Sequence, residues 1–479
     1  MSDVKENPRL LIISPYFVPR KRVGALRSYK FAKFLNKMGW KLDVVFLHAT
    51  QQKLSKDESE HLSGIDLHAL EVPFDRTTKQ SGSDLTKASL HSPTQNKKQK
   101  GSSLFQGFVD YLERFIPMDT WFPLLRYHYS KVEQIILKQK PQAIWVTADP
   151  WSGLLLASRM AKVFNLPLIV DFRDPFTLCP VRSKRKLKWV QNIEQYWERT
   201  IFEQAKAIVF TAKDTLLMYQ NHYPGLKDKM ALIHNSYDLD IHRNSMDQNT
   251  SKISSLLPVP SAEQTFKLVF LGKFRSSSPI EPVIKLFERI RIRYPDLFTD
   301  LRLYHIGALS GDVSNRIKTL QLEELFMPMH AVPYNEVPKM LADFQVLLSI
   351  LNPNRDMVIP SKFWDYLPAQ APIISIGGNA EMADILSNTK RGKQFKATEL
   401  DELATHVYHL WQEWSGNNKQ SDIDEQNRVD VINIEETIDV QIPEYPLYAY
   451  SALSKTQELS ALLFKAIEQH SMDSNTNKS

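Results

Sequence analysis

Cysteine is almost missing: Cys179 is the one cysteine in 479 residues. That excludes an internal disulfide and any cysteine-based zinc cluster, and it suits a reducing compartment. No run of about 18 consecutive apolar residues occurs, so the sequence offers no membrane-spanning helix. Met1 to Arg9 is charged and polar without an apolar core, so export is not expected and the cytoplasm is the expected location. Glycine is scarce, at 15 residues, and no Gly-x-Gly-x-x-Gly run is present, which disfavours a dinucleotide dehydrogenase. There is also no phosphate loop ending in Gly-Lys-Ser or Gly-Lys-Thr and no nucleophilic Ser-His-Asp elbow. Neither Asp149-Pro150 nor Asp171-Phe172-Arg173-Asp174 has Asp-x-Asp spacing, and the 13 histidines do not pair with carboxylates at ligand spacing. No metal and no cofactor are expected.

What is present fits a soluble chain of two domains of roughly 200 residues each, since one core rarely grows to this length. Hydrophobic residues make up 43% and aromatics 10%, enough for two substantial cores. The net charge is a modest +6, yet the cations cluster at Arg20-Lys21-Arg22, at Lys97, Lys98 and Lys100, and at Arg182, Lys184, Arg185, Lys186 and Lys188. Such clusters attract phosphate groups when they are more than solvated loops. Aromatics are not interleaved with them on a strand platform, so nucleic acid is not an expected partner.

Strand and helix signals alternate along the chain. Leu10 to Ser14 reads as a strand, Arg27 to Met38 as a helix closed by Gly39, and Lys41 to Leu47 as a second strand, together a right-handed crossover unit. Residues 51–106 are polar without sustained periodicity and read as a long mobile loop. The alternation resumes with a helix over Tyr127 to Gln139, strands at Ala143 to Thr147 and Leu168 to Asp171, and a basic amphipathic helix over about Lys186 to Ala205. Strands at Ala207 to Thr211 and Ala231 to His234 close the first series. Asn235 to about Gln264 reads as a linker. A second series runs from the strand Lys267 to Gly272 through strands at Leu301 to Ile306, Gln345 to Ile350 and Ile373 to Ile376. Ser421 to Glu444 reads as an irregular acidic excursion, and Tyr450 to Gln469 as an amphipathic helix expected to pack back on the first domain. The expected fold is therefore α/β, with two Rossmann-like domains facing across a cleft: residues 1–240, a linker over 241–264, residues 265–440, and a crossover helix and tail over 441–479.

The most informative stretch is Ile359-Pro360-Ser361-Lys362-Phe363-Trp364-Asp365-Tyr366-Leu367, running into the strand Ile373 to Ile376 and the turn Gly377-Gly378-Asn379. It places a lysine and a carboxylate on a short helix beside a glycine-bearing strand end, a pattern suited to the phosphate and ribose of a nucleotide-sugar. Lys273 and Arg275 follow Gly272 at another strand end and add positive charge there. Gly24, in the first loop, lets the backbone approach phosphate or sugar, or serves a turn. Arg173 and Asp174 follow an apolar strand and are expected to face the cleft, where Asp174 is suited to orient or deprotonate an acceptor hydroxyl. A capping or paired role serves them equally.

With these segments in order, the chain resembles the GT-B glycosyltransferases, in particular the retaining group often called family 4. The matching motifs are Ser14-Pro15-Tyr16-Phe17, Gly24-Ala25-Leu26-Arg27, Val170 to Pro175, Ile233 to Asp238, Val269-Phe270-Leu271-Gly272-Lys273, and Pro360-Ser361-Lys362 through Tyr366. The resemblance implies an acceptor held by the first domain and a nucleotide-sugar held by the second. It implies that Asp365 holds ribose hydroxyls, that Lys273 is the first of two cations on the donor diphosphate, and that Gly24, Gly272, Gly377 and Gly378 border the donor. Three positions depart from the family. Met357 stands where the first carboxylate of the Glu-x7-Glu motif belongs, with Asp356 beside it; Ser276-Ser277-Ser278 replaces the second cation, leaving Arg275 and Lys362 for that task; and no histidine stands near Arg173. The family names no enzymic nucleophile, and the departing phosphate is implied to help remove the acceptor proton on the same face.

The activity expected is transfer of a sugar from a nucleotide-sugar to a glycan or lipid-linked glycan in surface-polysaccharide synthesis. The basic helix over 182–205, with Trp189 and Trp197, is suited either to an anionic membrane surface or to ordinary packing. A sugar-nucleotide epimerase, or a catalytically silent relative that binds glycan or partner proteins, is the alternative.

Overall fold

The computed structural model describes residues 8–20, 23–48, 53–71, 113–119, 121–183, 185–241, 265–275, 277–307, 309–329, 332, 334–352, 357–420 and 446–476. The chain divides into two compact units, one of Met1–His234 with Lys455–Ser479 and one of Asn235–Ser454.

The first unit alternates β1 (Arg9–Ile13), α1 (Val23–Lys37), β2 (Lys41–His48), α2 (Lys56–His61), β3 (Asp66–Glu71), α3 (Leu125–Gln139), β4 (Ala143–Ala148), α4 (Ser152–Val163), β5 (Leu168–Phe172), α5 (Pro180–Ser183), α6 (Lys188–Gln204), β6 (Ala207–Phe210), α7 (Lys213–His222) and β7 (Met230–Leu232). Its strands are all parallel, in the order β3-β2-β1-β4-β5-β6-β7. A parallel sheet covered on both faces needs strands that are apolar at every position. In β1, Leu10 and Ile12 enter one core layer with Phe31 and Trp145, while Leu11 and Ile13 enter the other with Val146 and Phe172.

The second unit runs β8 (Phe266–Leu271), α8 (Glu281–Arg293), α9 (Pro295–Asp300), β9 (Leu301–Ile306), α10 (Gly311–Thr319), β10 (Phe326–Met329), α11 (Val337–Leu341), β11 (Val346–Ile350), α12 (Ser361–Tyr366), β12 (Ile373–Ile376), α13 (Ala380–Thr389), β13 (Gly392–Phe395) and α14 (Leu400–Gln420). Its parallel strands lie in the order β10-β9-β8-β11-β12-β13. Both sheets reverse direction of winding once, between β1 and β4 and between β8 and β11. Such a reversal opens a crevice at the strands' carboxyl ends, where ligands of open α/β sheets bind.

The last helix, α15 (Ala452–Thr476), belongs to the first unit from Lys455 onward. Leu459, Leu463 and Ala466 join the core layer of Leu10 and Ile12. Trp40 donates its indole N–H to Ser460 Oγ at 3.0 Å and packs on Phe464 at 4.8 Å between ring centroids. The C-terminal helix thus returns to the first domain, as expected, through contacts that its own sequence does not reveal.

Three expectations need correction. The expected loop over 51–106 contains α2, closed by a Ser55–Glu58 capping box, and the strand β3. β3 is an edge strand with exposed Asp66 and Glu71, so it lacks the apolar run that marks an inner parallel strand. Residues 51–52 and 72–106 lie outside the described residues, as do 242–264 of the linker and Ser421 to Glu444. Second, Asn235 to Asp238 is no linker: Tyr237 and Asp238 are buried, the Tyr237 hydroxyl donates to Leu447 O at 3.0 Å, and Ala452 N–H donates to Tyr237 O at 2.8 Å. Pairing across more than 200 positions leaves no local signal. Third, β10 and β13 escape the sequence pattern because both are edge strands, carrying Pro328 and the polar Lys393 and Gln394.

Candidate functional site

In the second unit the crevice between β8 and β11 is built on backbone. Gly272 follows β8 with φ +121°, and Gly307 follows β9 with φ +149°. A Cβ on Gly307 would lie 2.8 Å from Gly272 O, and one on Gly272 would overlap the Lys362 ammonium. Only glycine satisfies both the dihedral and the close approach. The loop after β8 is pinned by reciprocal backbone bonds between Arg275 and Ser278 of 3.0 and 2.8 Å, and tied to the end of β11 by Asn352 N–H donating to Ser277 O at 3.0 Å. Lys273 and Arg275 are exposed on this loop.

Across the crevice, α12 buries Phe363, Trp364 and Tyr366, which turns Lys362 and Asp365, three residues apart, to the other side. Tyr366 anchors the helix: its hydroxyl accepts from Leu271 N–H at 2.8 Å, and burial pushes its pKa up. Lys362 Nζ donates to Leu271 O. Burial and the Arg275 charge push the Lys362 pKa down to about 8, with Asp365 pulling the other way. Asp365 accepts at Oδ1 from the Tyr334 hydroxyl at 3.0 Å. Gly377 (φ +76°) and Gly378 (φ +121°) follow β12. A Cβ on Gly377 would strike Leu351 O, and one on Gly378 would lie 2.7 Å from Gln394 Oε1. Asn379 then caps α13 by accepting from Met382 N–H at 3.0 Å.

Beneath the loop, His305 is fully buried and neither ring nitrogen meets hydrogen-bond geometry with a partner. Its ring lies 4.9 Å from Phe274 and 5.9 Å from Phe270, each stacked. Burial pushes its pKa down to about 4, with the Gly272 backbone offsetting part of that and the Lys362 charge adding to it. The stack holds Phe274, and so the backbone between the two exposed cations.

In the first unit, Gly24 at the start of α1 faces the Arg173 guanidinium, which occupies the space a Cβ would need. The glycine admits an arginine, not open space for a ligand. Arg173 Nε donates to Ala148 O at 2.7 Å, and Nη2 to Asp149 O and to Asp149 Oδ1, the last at 3.0 Å. Arg173 thus turns back onto the β4 end, while Asp174 is exposed. Nearby, Asp171 is fully buried and paired with Arg27 at 2.7 Å, accepts from Thr147 Oγ1 at 2.8 Å, and leaves Arg27 to donate to Ile233 O and His234 O at 3.0 and 2.7 Å. Asp119 accepts from Ser152 N–H and Trp121 N–H, each at 2.8 Å, and burial pushes its pKa up.

The structure therefore gathers Gly272, Lys362, Arg275 and Asp365 around one strand-end crevice, with Lys273 on its loop and Gly377 and Gly378 at the end of β12, two strands from β8. Gly24 and Arg173 meet in the other unit, beside Asp174 in sequence. Sequence reasoning passed over Tyr334, His305 and the Arg27–Asp171 pair. Only the last left a trace, as charges at the end of an apolar strand and on a buried helix face.

No protein-family model and no curated protein matches the sequence. Solved structures match nearly the whole chain. A glycosyltransferase from Rickettsia africae ESF-5 superposes with a TM-score of 0.58 at 12% identity, covering 96% of this chain and 99% of that one. A sucrose-phosphate synthase from Thermosynechococcus elongatus gives 0.53 at 12% identity, covering 98% and 99%. An α,α-trehalose-phosphate synthase (UDP-forming) from Burkholderia xenovorans, in complex with glucose-6-phosphate, gives 0.57 at 9% identity, covering 95% and 100%. At these identities the likeness establishes the fold: the two Rossmann-like domains are those of the GT-B type.

Proposed function

We propose that this chain is a glycosyltransferase that moves a sugar from a nucleotide-sugar, bound by the second unit, to an acceptor bound by the first. The observation that carries the reading is the second unit's crevice, where Lys362 is held on the neutral Leu271 carbonyl within reach of the Arg275 and Asp365 charges. A diphosphate entering there would draw Lys362, Lys273 and Arg275, and those cations would stabilise the charge that develops on the leaving nucleoside diphosphate. Asp365 would accept from the ribose hydroxyls, oriented by Tyr334. Gly377 and Gly378 would border the donor. Asp174, exposed after β5, would orient the acceptor hydroxyl, and Arg173 would position that turn.

The finer reading is a metal-independent hexosyl transfer with retention, to a glycan or lipid-linked glycan in surface-polysaccharide synthesis, and it rests on the resemblance to the family 4 group. Peripheral attachment to the inner face of an anionic membrane is part of it. No helix among the described residues is long and apolar enough to cross a membrane. On α6 both inner glutamates, Glu194 and Glu198, are buried, while Lys188, Trp189 and Tyr196 face outward with Arg185 just before the helix. Cations beside exposed aromatics suit a headgroup layer. The silent-relative reading keeps two observations in its favour, Met357 in place of a family carboxylate and Ser276-Ser277-Ser278 in place of the family's second cation.

Thermal melting with UDP, GDP, ADP, dTDP and CMP tests the proposal in wild type, Asp365→Ala and Lys273→Ala. A nucleotide at ten times its Kd stabilises by about 1.4 kcal/mol. The expected result is a shift from one nucleotide in wild type and none in either variant; no shift at millimolar concentration favours the silent relative. Release of nucleoside diphosphate only when acceptor is added separates transferase from epimerase.

A further inference from the structure

The loop after β8 is fastened through its backbone at both ends but not between them. Gly272 N–H donates to Ile306 O at 2.8 Å, and Arg275 exchanges its two bonds with Ser278. Among the described residues, the backbone of Lys273 and Phe274 makes no such bond. A stretch without backbone bonds keeps a fixed place only when a buried side chain anchors it. Phe274, 7% exposed, is the anchor, and burying it turns its neighbours Lys273 and Arg275 outward, where both are exposed.

The Phe274 ring stacks on two others. Phe270 lies 4.6 Å away at an interplanar angle of 18°, and His305 lies 4.9 Å away at 15°. Phe270 belongs to β8, the strand that leads into the loop, so its contact is local. His305 belongs to β9, where it pairs in register with Phe270, and it ties Phe274 to a second strand. Flat rings in offset contact resist both sliding and tilting, which an aliphatic side chain does less well. His305 is fully buried and forms no salt bridge among the described residues. With its pKa pushed down to about 4 by burial, the ring is neutral near pH 7 and sets no charge against the cations above it.

We propose that His305 is a positioning residue for the donor diphosphate: its ring holds Phe274 in place, and Phe274 presents Lys273 and Arg275 together to the two phosphates. The inference rests on reading the second unit's crevice as the donor site. Two cations held at once favour a diphosphate over a monophosphate, because each phosphate then meets a charge without the loop having to be ordered first. Loosening the ring contact removes that advantage and spares what the nucleoside contributes.

The test is calorimetric titration of the full chain with UDP, GDP, ADP and dTDP and with the matching monophosphates, in wild type, His305→Leu and His305→Phe. In wild type the favoured diphosphate is expected to bind more tightly than its monophosphate. His305→Leu, which removes the flat ring, is expected to cut that preference about tenfold and leave monophosphate binding within about twofold, and His305→Phe is expected to restore it. A residue that only supported the fold would weaken both nucleotides alike or neither. A second arm uses wild type alone: with ¹³C-labelled histidine rings, the His305 signal is expected to move on adding the diphosphate and not on adding the parent nucleoside. A preference unchanged in His305→Leu, one that His305→Phe does not restore, or a His305 signal indifferent to the diphosphate overturns this proposal and leaves the donor site standing. A wild type that binds none of the nucleotides overturns the donor-site reading, and this proposal with it.

Discussion

In the first unit Arg27 and Arg173 are consumed by the protein itself, while in the second Lys273, Arg275 and Lys362 form no salt bridge among the described residues. Arg27 is 5% exposed and bound to a fully buried Asp171, and Arg173 is bound to Asp149 and two carbonyls. Lys273 and Arg275 are exposed, and Lys362 rests on a carbonyl with its pKa lowered to about 8. A cation satisfied by a buried carboxylate shapes a fold. One kept near a like charge, with its proton already loosened, gains from an anion that arrives. Cations near strand ends thus do structural work in the first domain and, in the function proposed, meet the donor in the second.

The largest effect should come from breaking the first arrangement. Asp171→Ala strands Arg27 in the core and is expected to cost about 3–5 kcal/mol, read as a large fall in Tm or loss of soluble protein. Next is Gly272→Ala, which forces a side chain into a positive-φ position and against Lys362. A loss of roughly 1–3 kcal/mol in stability and of the nucleotide melting shift is expected, whereas Gly311→Ala, with open space around it, should leave nucleotide binding unchanged.

The contrast sharpens with pH. Because the folded Lys362 pKa lies below its ordinary value, the unfolded chain holds that proton more tightly, so its contribution to stability should rise with pH from about 8 to its ordinary 10.5. Nucleoside diphosphate affinity should move the other way, falling as pH rises through about 8, and Lys362→Arg should flatten that dependence because guanidinium keeps its proton. An affinity that is flat with pH in the wild type would remove Lys362 from the phosphate site. The smallest effect is Tyr334→Phe, which removes the bond orienting Asp365 and should weaken nucleotide binding by roughly 1 kcal/mol, measured by calorimetry.

The doubly wound pattern was legible because inner parallel strands are apolar at every position and helices between them keep a 3.6-residue period; LLII, AIWVTA and VLLSI need no partner to be recognised. Edge strands defeat the same reading. β3, β10 and β13 mix polar residues and proline into short runs, and their identity as strands comes from the neighbour they pair with. At the site, Lys362 and Asp365 were legible as an i, i+3 pair on a short helix, and the structure groups them with Gly272. Arg173 was legible as a strand-end residue, but not its direction. Whether a side chain faces outward or folds back on Gly24 and Asp149 depends on a loop nearby in space and 24 residues away in sequence.

The sequence by itself determined two α/β units and the glycines at their strand ends, because periodicity and strand-end glycines are local properties of the chain. Tertiary structure alone decided which charges are buried in pairs and which remain exposed, and that Tyr334 meets Asp365. Those outcomes turn on distances between residues tens to hundreds of positions apart, and desolvation, which sets the worth of every charge and hydrogen bond, exists only once the chain has folded around them.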